Sequence, residues 1–180
     1  MSSLETIERL LKDQAGRPPI EKWQPALSGE IDIQILADGR WIHEGGEIKR
    51  HELVKLFASI LRCEADGHYY LVTPVEKWRL QVEDLPLLIV DMEVGESTSE
   101  GRRIAVKTNV DTWHELGPQH RLSVTESPDS GEPRPAVSLE HGLSARVNRA
   151  CFYRLVDLAE QHGDRLIVRS AGEQFELGRV

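Results

Sequence analysis

The sequence is poor in cysteine, aromatic residues and long apolar runs, and positive charge is its minority sign. Two cysteines, Cys63 and Cys151, occur in 180 residues. With no partner motif beside either, they exclude a disulfide framework and a Cys-rich zinc site, and they point to a reduced, cytoplasmic setting. The longest apolar stretch, residues 85–90, contains Pro86 and falls far short of the roughly 18–20 apolar residues of a membrane span. Leu4, Ile7, Leu10 and Leu11 have helical spacing, but Glu5, Glu8 and Arg9 lie between them, so no secretory signal is expected. Lys and Arg number 22 against 30 Asp and Glu, a formal charge of −8 with a pI near 5.4. That balance excludes a coat for a nucleic acid polymer or an anionic membrane, because such affinity comes from neutralising many phosphates. A small anionic ligand remains open.

Catalytic signatures are missing as well. Gly45-Gly46 lacks the spacing of either common phosphate-binding loop, no Ser sits in a Gly-x-Ser-x-Gly elbow, and none of the seven His forms HExxH or a close His-x3-His pair. No catalytic residue, metal or cofactor is expected on these grounds.

What is there suits a soluble globular α+β protein, 39% apolar and 29% charged. Residues 1–29 read as a short helix, with Ser2 and Glu5 as a capping box, followed by a linker rich in Pro and Gly. Ile31, Ile33 and Ile35 alternate with Asp32 and Gln34 as in a half-buried strand, and Asp38-Gly39 turns the chain into Trp41-Ile42-His43. Leu53, Leu56, Phe57, Ile60 and Leu61 mark one face of a helix over 50–61. Strands at 69–72 and 78–82 complete a strand-strand-helix-strand-strand unit over 30–85. Residues 87–124 read as a β-meander, and 127–135, with three prolines, as a flexible loop. A strand at 137–139, a helix over about 144–161 and strands at 165–169 and 174–177 follow. Both cysteines fall in stretches read as helical.

This last stretch resembles the first unit. Residues 137–177 laid over 41–80 match Glu140 with Glu44 and Gly142 with Gly46, and Arg149-x-x-Phe152-Tyr153-Arg154-Leu155 matches Arg50-x-x-Leu53-Val54-Lys55-Leu56. Order of elements and residue classes agree together, which predicts two related repeats joined by the meander. The divisions expected are 1–29, 30–85 and 86–180, the last packed against the first repeat.

Charge falls unevenly on this plan. Residues 1–100 carry 11 basic and 19 acidic side chains, and 101–180 carry 11 of each, ten of the basic ones being Arg. Lys49, Arg50 and His51 lie at the start of the first predicted helix, and Arg146 and Arg149 at the start of the second. Helix N-termini prefer negative charge, so cations there are mildly unfavourable unless an anion docks on the free backbone N–H groups. Pairing with Glu44, Glu47, Glu52 or Glu140 is the competing account. Trp41 and Trp78 stand at strand ends and Trp113 in the meander, where a Trp either stacks on a ligand or fills the core. Thr73-Pro74-Val75-Glu76-Lys77 puts a hydroxyl, a carboxylate and an ammonium in one rigid turn, which serves either binding or the turn itself. Thr108-Asn109 and His120-Arg121 are polar pairs beside strands, read as turn chemistry.

Asp38-Gly39-Arg40-Trp41, Glu44-Gly45-x-x-Ile48-x-Arg50, Leu53-Val54-x-Leu56-Phe57, the run from Asp66-Gly67 to Val75-Glu76-Lys77, and Val82-Glu83-Asp84-x-Pro86 resemble the bacterial domain-of-unknown-function family DUF1285. Thr108-Asn109-Val110, His120 and the stretch 149–155 fit its later half. Glu47 stands where that family usually has Pro, and Cys63-Glu64-Ala65 where it is richer in Asp. The resemblance implies a duplicated α+β core with a second half similar to pleckstrin-homology-like folds, a ligand site between the halves, and a part in bacterial signalling. It implies no reaction. Carried over by residue, it makes Trp41, Arg50, Thr73, Glu76, Lys77, Asn109 and Arg149 the candidate ligand-binding residues. The reading is a non-enzymatic regulatory module for a small anionic, nucleotide-like ligand. Its alternative is a protein-interaction module that takes a peptide or partner at an exposed sheet edge or groove.

Overall fold

Strand-forming alternation dominates the structure, a computed structural model that describes residues 4, 5, 7, 8, 17–99 and 101–180. The capping box of Ser2 and Glu5 turns on a residue outside these. Contacts divide the chain into two units, Met1–Pro86 with His141–Leu143, and Leu87–Glu140 with Ser144–Val180.

In the first unit, β1 (Gly29–Ile35), β2 (Trp41–His43) and β3 (Gly46–Glu47) form an antiparallel meander. Helix α1 (His51–Ala58) follows, then a second meander of β4 (Leu61–Cys63), β5 (Tyr69–Val72) and β6 (Lys77–Val82). Parallel pairing of β1 with β6 joins the two into one six-stranded mixed sheet, order β3-β2-β1-β6-β5-β4. The isoleucine alternation is seen directly: Ile33 and Ile35 are buried and Asp32 and Gln34 exposed. The helix is shorter than the predicted 50–61. Ser59 Oγ donates to the Leu56 carbonyl, and the backbone of Ile60 bonds Phe57 and Val72, which turns the chain into β4. Cys63 therefore lies in a strand, not a helix.

The second unit repeats this sheet. β7 (Leu87–Thr98), β8 (Gly101–Thr108) and β9 (Trp113–Glu115) form one meander, β10 (Leu122–Glu126), β11 (Pro133–Ser138) and β12 (Ser144–Val147) another, and β7 pairs parallel with β12. The order β10-β11-β12-β7-β8-β9 is the first sheet read from its other edge, with β7–β12 standing where β1–β6 stand. Two similar β-sheet repeats are thus present, but they pair residues 29–82 with 87–147, not 41–80 with 137–177. The sequence likeness has a narrower counterpart. Helix α2 (Arg149–Leu158) is followed by a three-stranded antiparallel sheet, β13 (Glu160–His162), β14 (Arg165–Ser170) and β15 (Glu173–Arg179), as α1 is followed by β4–β6.

The helix predicted over 144–161 splits for a local reason. Ser144 to Val147 alternate half-buried and buried, the period of a strand, and Asn148 then caps α2 by accepting from Cys151 N at 2.9 Å. Arg146 consequently sits on a strand, where its guanidinium donates to the carbonyls of Arg134 and Pro135 beyond the last β11–β12 backbone pair. The region read as a flexible loop is a closed hairpin turn, with Ser127 N bonded to Glu132 O and Gly131 N to Ser127 O at 2.8 Å each.

The three-stranded sheet is tied to the six-stranded one by a buried hydroxyl. Ser170 Oγ accepts from Ile104 N at 2.9 Å and donates to Leu116 O at 2.7 Å, replacing a ladder bond beyond β9. Arg121 adds an ion pair to Glu173 at 3.0 Å and lies 5.4 Å from the Phe175 ring.

One glycine in the first unit has no substitute. Gly142 has φ +71°, and a Cβ there would meet the Cys63 carbonyl oxygen at 2.6 Å. Gly142→Ala should destabilise the protein by at least about 2 kcal/mol, from left-handed strain plus a backbone clash. Gly163, at φ +67° with open space, supplies the control: Gly163→Ala should cost only the strain, about 1 kcal/mol. Urea midpoints of the two variants check this.

Candidate ligand-binding residues

The seven residues singled out in the sequence fall into distinct settings. Arg50 is the N-cap residue of α1, with extended backbone and no side-chain cap on the helix. Its side chain is 68% exposed and pairs with Glu8 at 3.7 Å. Exposed pairs of this length contribute little. Arg149 opens α2, is 73% exposed and lies 3.9 Å from Glu132. The two helix starts differ at the N-cap: the Asn148 side chain satisfies one N–H of α2, whereas the Arg50 side chain makes no such bond on α1.

Trp41 is a core residue. It is 1% exposed and stacks on Phe57 of α1, ring centroids 6.4 Å apart. Its indole Nε1 is buried without a hydrogen-bond partner among the described residues.

Thr73, Glu76 and Lys77 are brought together by one turn. Buried Thr73 Oγ1 accepts from the backbone N–H of Glu76 at 2.9 Å and Val75 at 3.3 Å, and Thr73 N donates to Glu76 O. The Glu76 carboxylate accepts from Trp78 Nε1 at 3.2 Å. Lys77 turns toward the strands instead, donating to Glu64 Oε1 at 2.9 Å and lying 4.7 Å from the Tyr70 ring. Glu64 also receives Arg62 Nε at 3.1 Å, and Arg62 Nη1 reaches the carbonyls of Ile20 and Trp23. This Arg62–Glu64–Lys77 network was not legible in the sequence, since Glu64 and Lys77 meet only once β4, β5 and β6 pair. Burial alone would raise the Glu64 pKa, but hydrogen bonds from Lys77 and Arg62, with their charges, hold it below its ordinary value. Next to it, Tyr70 donates to Asp66 at 2.6 Å, which with burial pushes the phenol up to about 12.

Asn109 belongs to the second unit and does turn chemistry there: Oδ1 accepts from Leu88 N at 3.0 Å while Asn109 N donates to Leu88 O.

Comparison with known proteins assigns the chain. Residues 18–85 match the family described as Domain of unknown function (DUF1285), N-terminal domain, and residues 86–177 match Protein of unknown function (DUF1285), C-terminal domain. The chain belongs to the DUF1285 family. A crystal structure of a DUF1285 family protein from Silicibacter pomeroyi DSS-3 is similar at a TM-score of 0.87 and 35% identity, over 97% of this chain and 95% of that one. A DUF1285 family protein from Shewanella baltica OS155 is similar at a TM-score of 0.54 and 38% identity, over 69% of this chain and 90% of that one. No curated protein matches the chain. The join between the two DUF1285 matches falls next to the change of unit at Pro86–Leu87.

Proposed function

We propose that this DUF1285 protein is a non-catalytic regulatory module whose first unit takes a small anionic, nucleotide-like ligand at the start of α1. The observation that carries this is the start of α1, where the N-cap residue Arg50 turns its side chain away from the helix N–H groups and Lys49, Arg50 and His51 follow one another. Backbone N–H groups and the helix dipole favour an anion there, and a guanidinium offers two parallel donors to a phosphate. The weak pair with Glu8 leaves Arg50 able to exchange partners. Arg149, at the start of α2 in the second unit, is a candidate for an anion of its own, and the signalling role and the pleckstrin-homology-like character of the second unit belong to the same proposal. Trp41, Thr73, Glu76, Lys77 and Asn109 act in it as framework.

Thermal-shift measurements of the full chain with nucleotides and phosphorylated metabolites test this reading. A ligand at a hundred times its Kd adds about 2.7 kcal/mol of stability, a readily seen rise in Tm. Arg50→Ala should cut the shift to about half or less while leaving the Tm of the free protein unchanged. Arg149→Ala decides whether the second helix start takes part. No shift with any compound overturns the proposal.

A further inference from the structure

The second unit holds a cluster that the ligand reading does not use. His114 is the inward residue of β9, 8% exposed between outward Trp113 and half-buried Glu115. His120 lies in the turn between β9 and β10, which Gly117 N closes by donating to His120 O. Glu140 follows β11. Pairing of Leu122 with Val137 in the β10–β11 hairpin brings the residues just before β10 beside those just after β11, so His120 Nε2 lies 3.1 Å from Glu140 Oε1. His114 Nδ1 lies 3.7 Å from Glu140 Oε2, and one ligand atom from each of the three residues lies within 4.8 Å of the others.

Hydrogen-bond logic at His120 calls for a cation. Its Nδ1 sits 3.2 Å from the carbonyl oxygen of Glu115, which can only accept, so Nδ1 carries a proton. In the neutral ring Nε2 then presents a lone pair to a carboxylate oxygen, and two acceptors at that distance repel unless a positive charge joins them. A proton answers this for His120 alone. A metal ion answers it for all three groups, and the surroundings favour the metal. Each imidazole has its far nitrogen held by a partner, His120 by Glu115 O and His114 by Thr112 Oγ1 at 3.0 Å. The Thr112 hydroxyl is itself 2.7 Å from that of Thr108, which accepts from the N–H groups of Val110 and Thr112. Such outer partners fix the ring orientation of metal-ligating histidines. One buried and one half-buried imidazole with a half-buried carboxylate form a donor set suited to a first-row transition ion, at metal–ligand distances of about 2.0–2.2 Å. Ligands on one such ion stand about 3–4 Å apart, close to the spacing seen.

We propose that His114, His120 and Glu140 bind one divalent first-row transition ion of the Zn2+ class, leaving a coordination position for water or an added ligand. The experiment is titration of the untagged, chelator-treated full chain with Co2+, followed by visible absorption, then displacement by Zn2+. One Co2+ per chain with the intense d–d bands of a four- or five-coordinate site is expected. His120→Ala should weaken binding at least about 100-fold, and Thr112→Val, which removes only an orienting partner, about 10-fold. Glu140→Gln, a substitution of equal size, should weaken binding as His120→Ala does and serves if that variant fails to fold. Absence of the bands in the folded protein overturns the proposal, as does unchanged affinity in the folded variants.

Discussion

Glu64→Ala should destabilise the first unit by about 3 kcal/mol, read as a lowered urea midpoint. The variant leaves the Arg62 and Lys77 side chains, 11% and 18% exposed, without the carboxylate that both contact. Removing one partner of a buried pair costs about 3–5 kcal/mol, and the lower end applies because Glu64 is itself 23% exposed. Arg62 keeps its bonds to the carbonyls of Ile20 and Trp23, so the loss falls most heavily on Lys77. Glu64→Gln, which retains an acceptor but no charge, should cost less. The pH dependence follows from the lowered pKa. The carboxyl's contribution is complete above its unfolded value, about 4.3, and disappears as pH falls through the lower folded value. Wild type should therefore lose its advantage over Glu64→Ala on acidification, and a constant difference between pH 7 and pH 3 would contradict the network's role.

Trp41→Ala should cost about 3–5 kcal/mol, because it empties the space against Phe57 in the core of the first unit. Trp41→Phe should cost clearly less: it removes a smaller volume, and with it a buried N–H that has no partner among the described residues. Denaturant unfolding of both variants checks the order. If Trp41 were a stacking platform for a ligand, Trp41→Ala would lower affinity at unchanged stability, the reverse of this expectation.

Trp41 also shows what could be read in the sequence and what could not. The alternation at Ile31, Ile33 and Ile35 and the helix face at Leu53, Leu56 and Phe57 are local signals, and both elements formed as read, the helix with earlier ending. The likeness around Arg50 and Arg149 also has a structural counterpart, a helix followed by three antiparallel strands. The repeat of the six-stranded sheets stayed hidden because it resides in strand order, above all in the parallel pairs β1–β6 and β7–β12, which leave no mark in residue periodicity. The helix predicted over 144–161 absorbs the strand at 144–147. Those four residues are too few for a period-two signal beside a helical run. His120 and Glu140 each stand out in the sequence, but nothing there groups them with His114, for a related reason. His120 and Glu140 meet only through the β10–β11 hairpin, whose turn reads in the sequence as a flexible loop. Of the seven candidate residues, the exposed pair at the two helix starts keeps a binding reading, while Trp41, Thr73, Glu76, Lys77 and Asn109 have structural partners or core positions that account for their residue types.

The direct test of the account is titration calorimetry of the wild type and Arg50→Ala with the nucleotide or phosphorylated metabolite that gives the largest thermal shift. One-site binding, weakened at least about 10-fold in Arg50→Ala at unchanged Tm, is the predicted result, since a charge-assisted hydrogen bond contributes about 1.5–3 kcal/mol. Equal affinity in the two proteins would contradict the placement of the ligand at the start of α1.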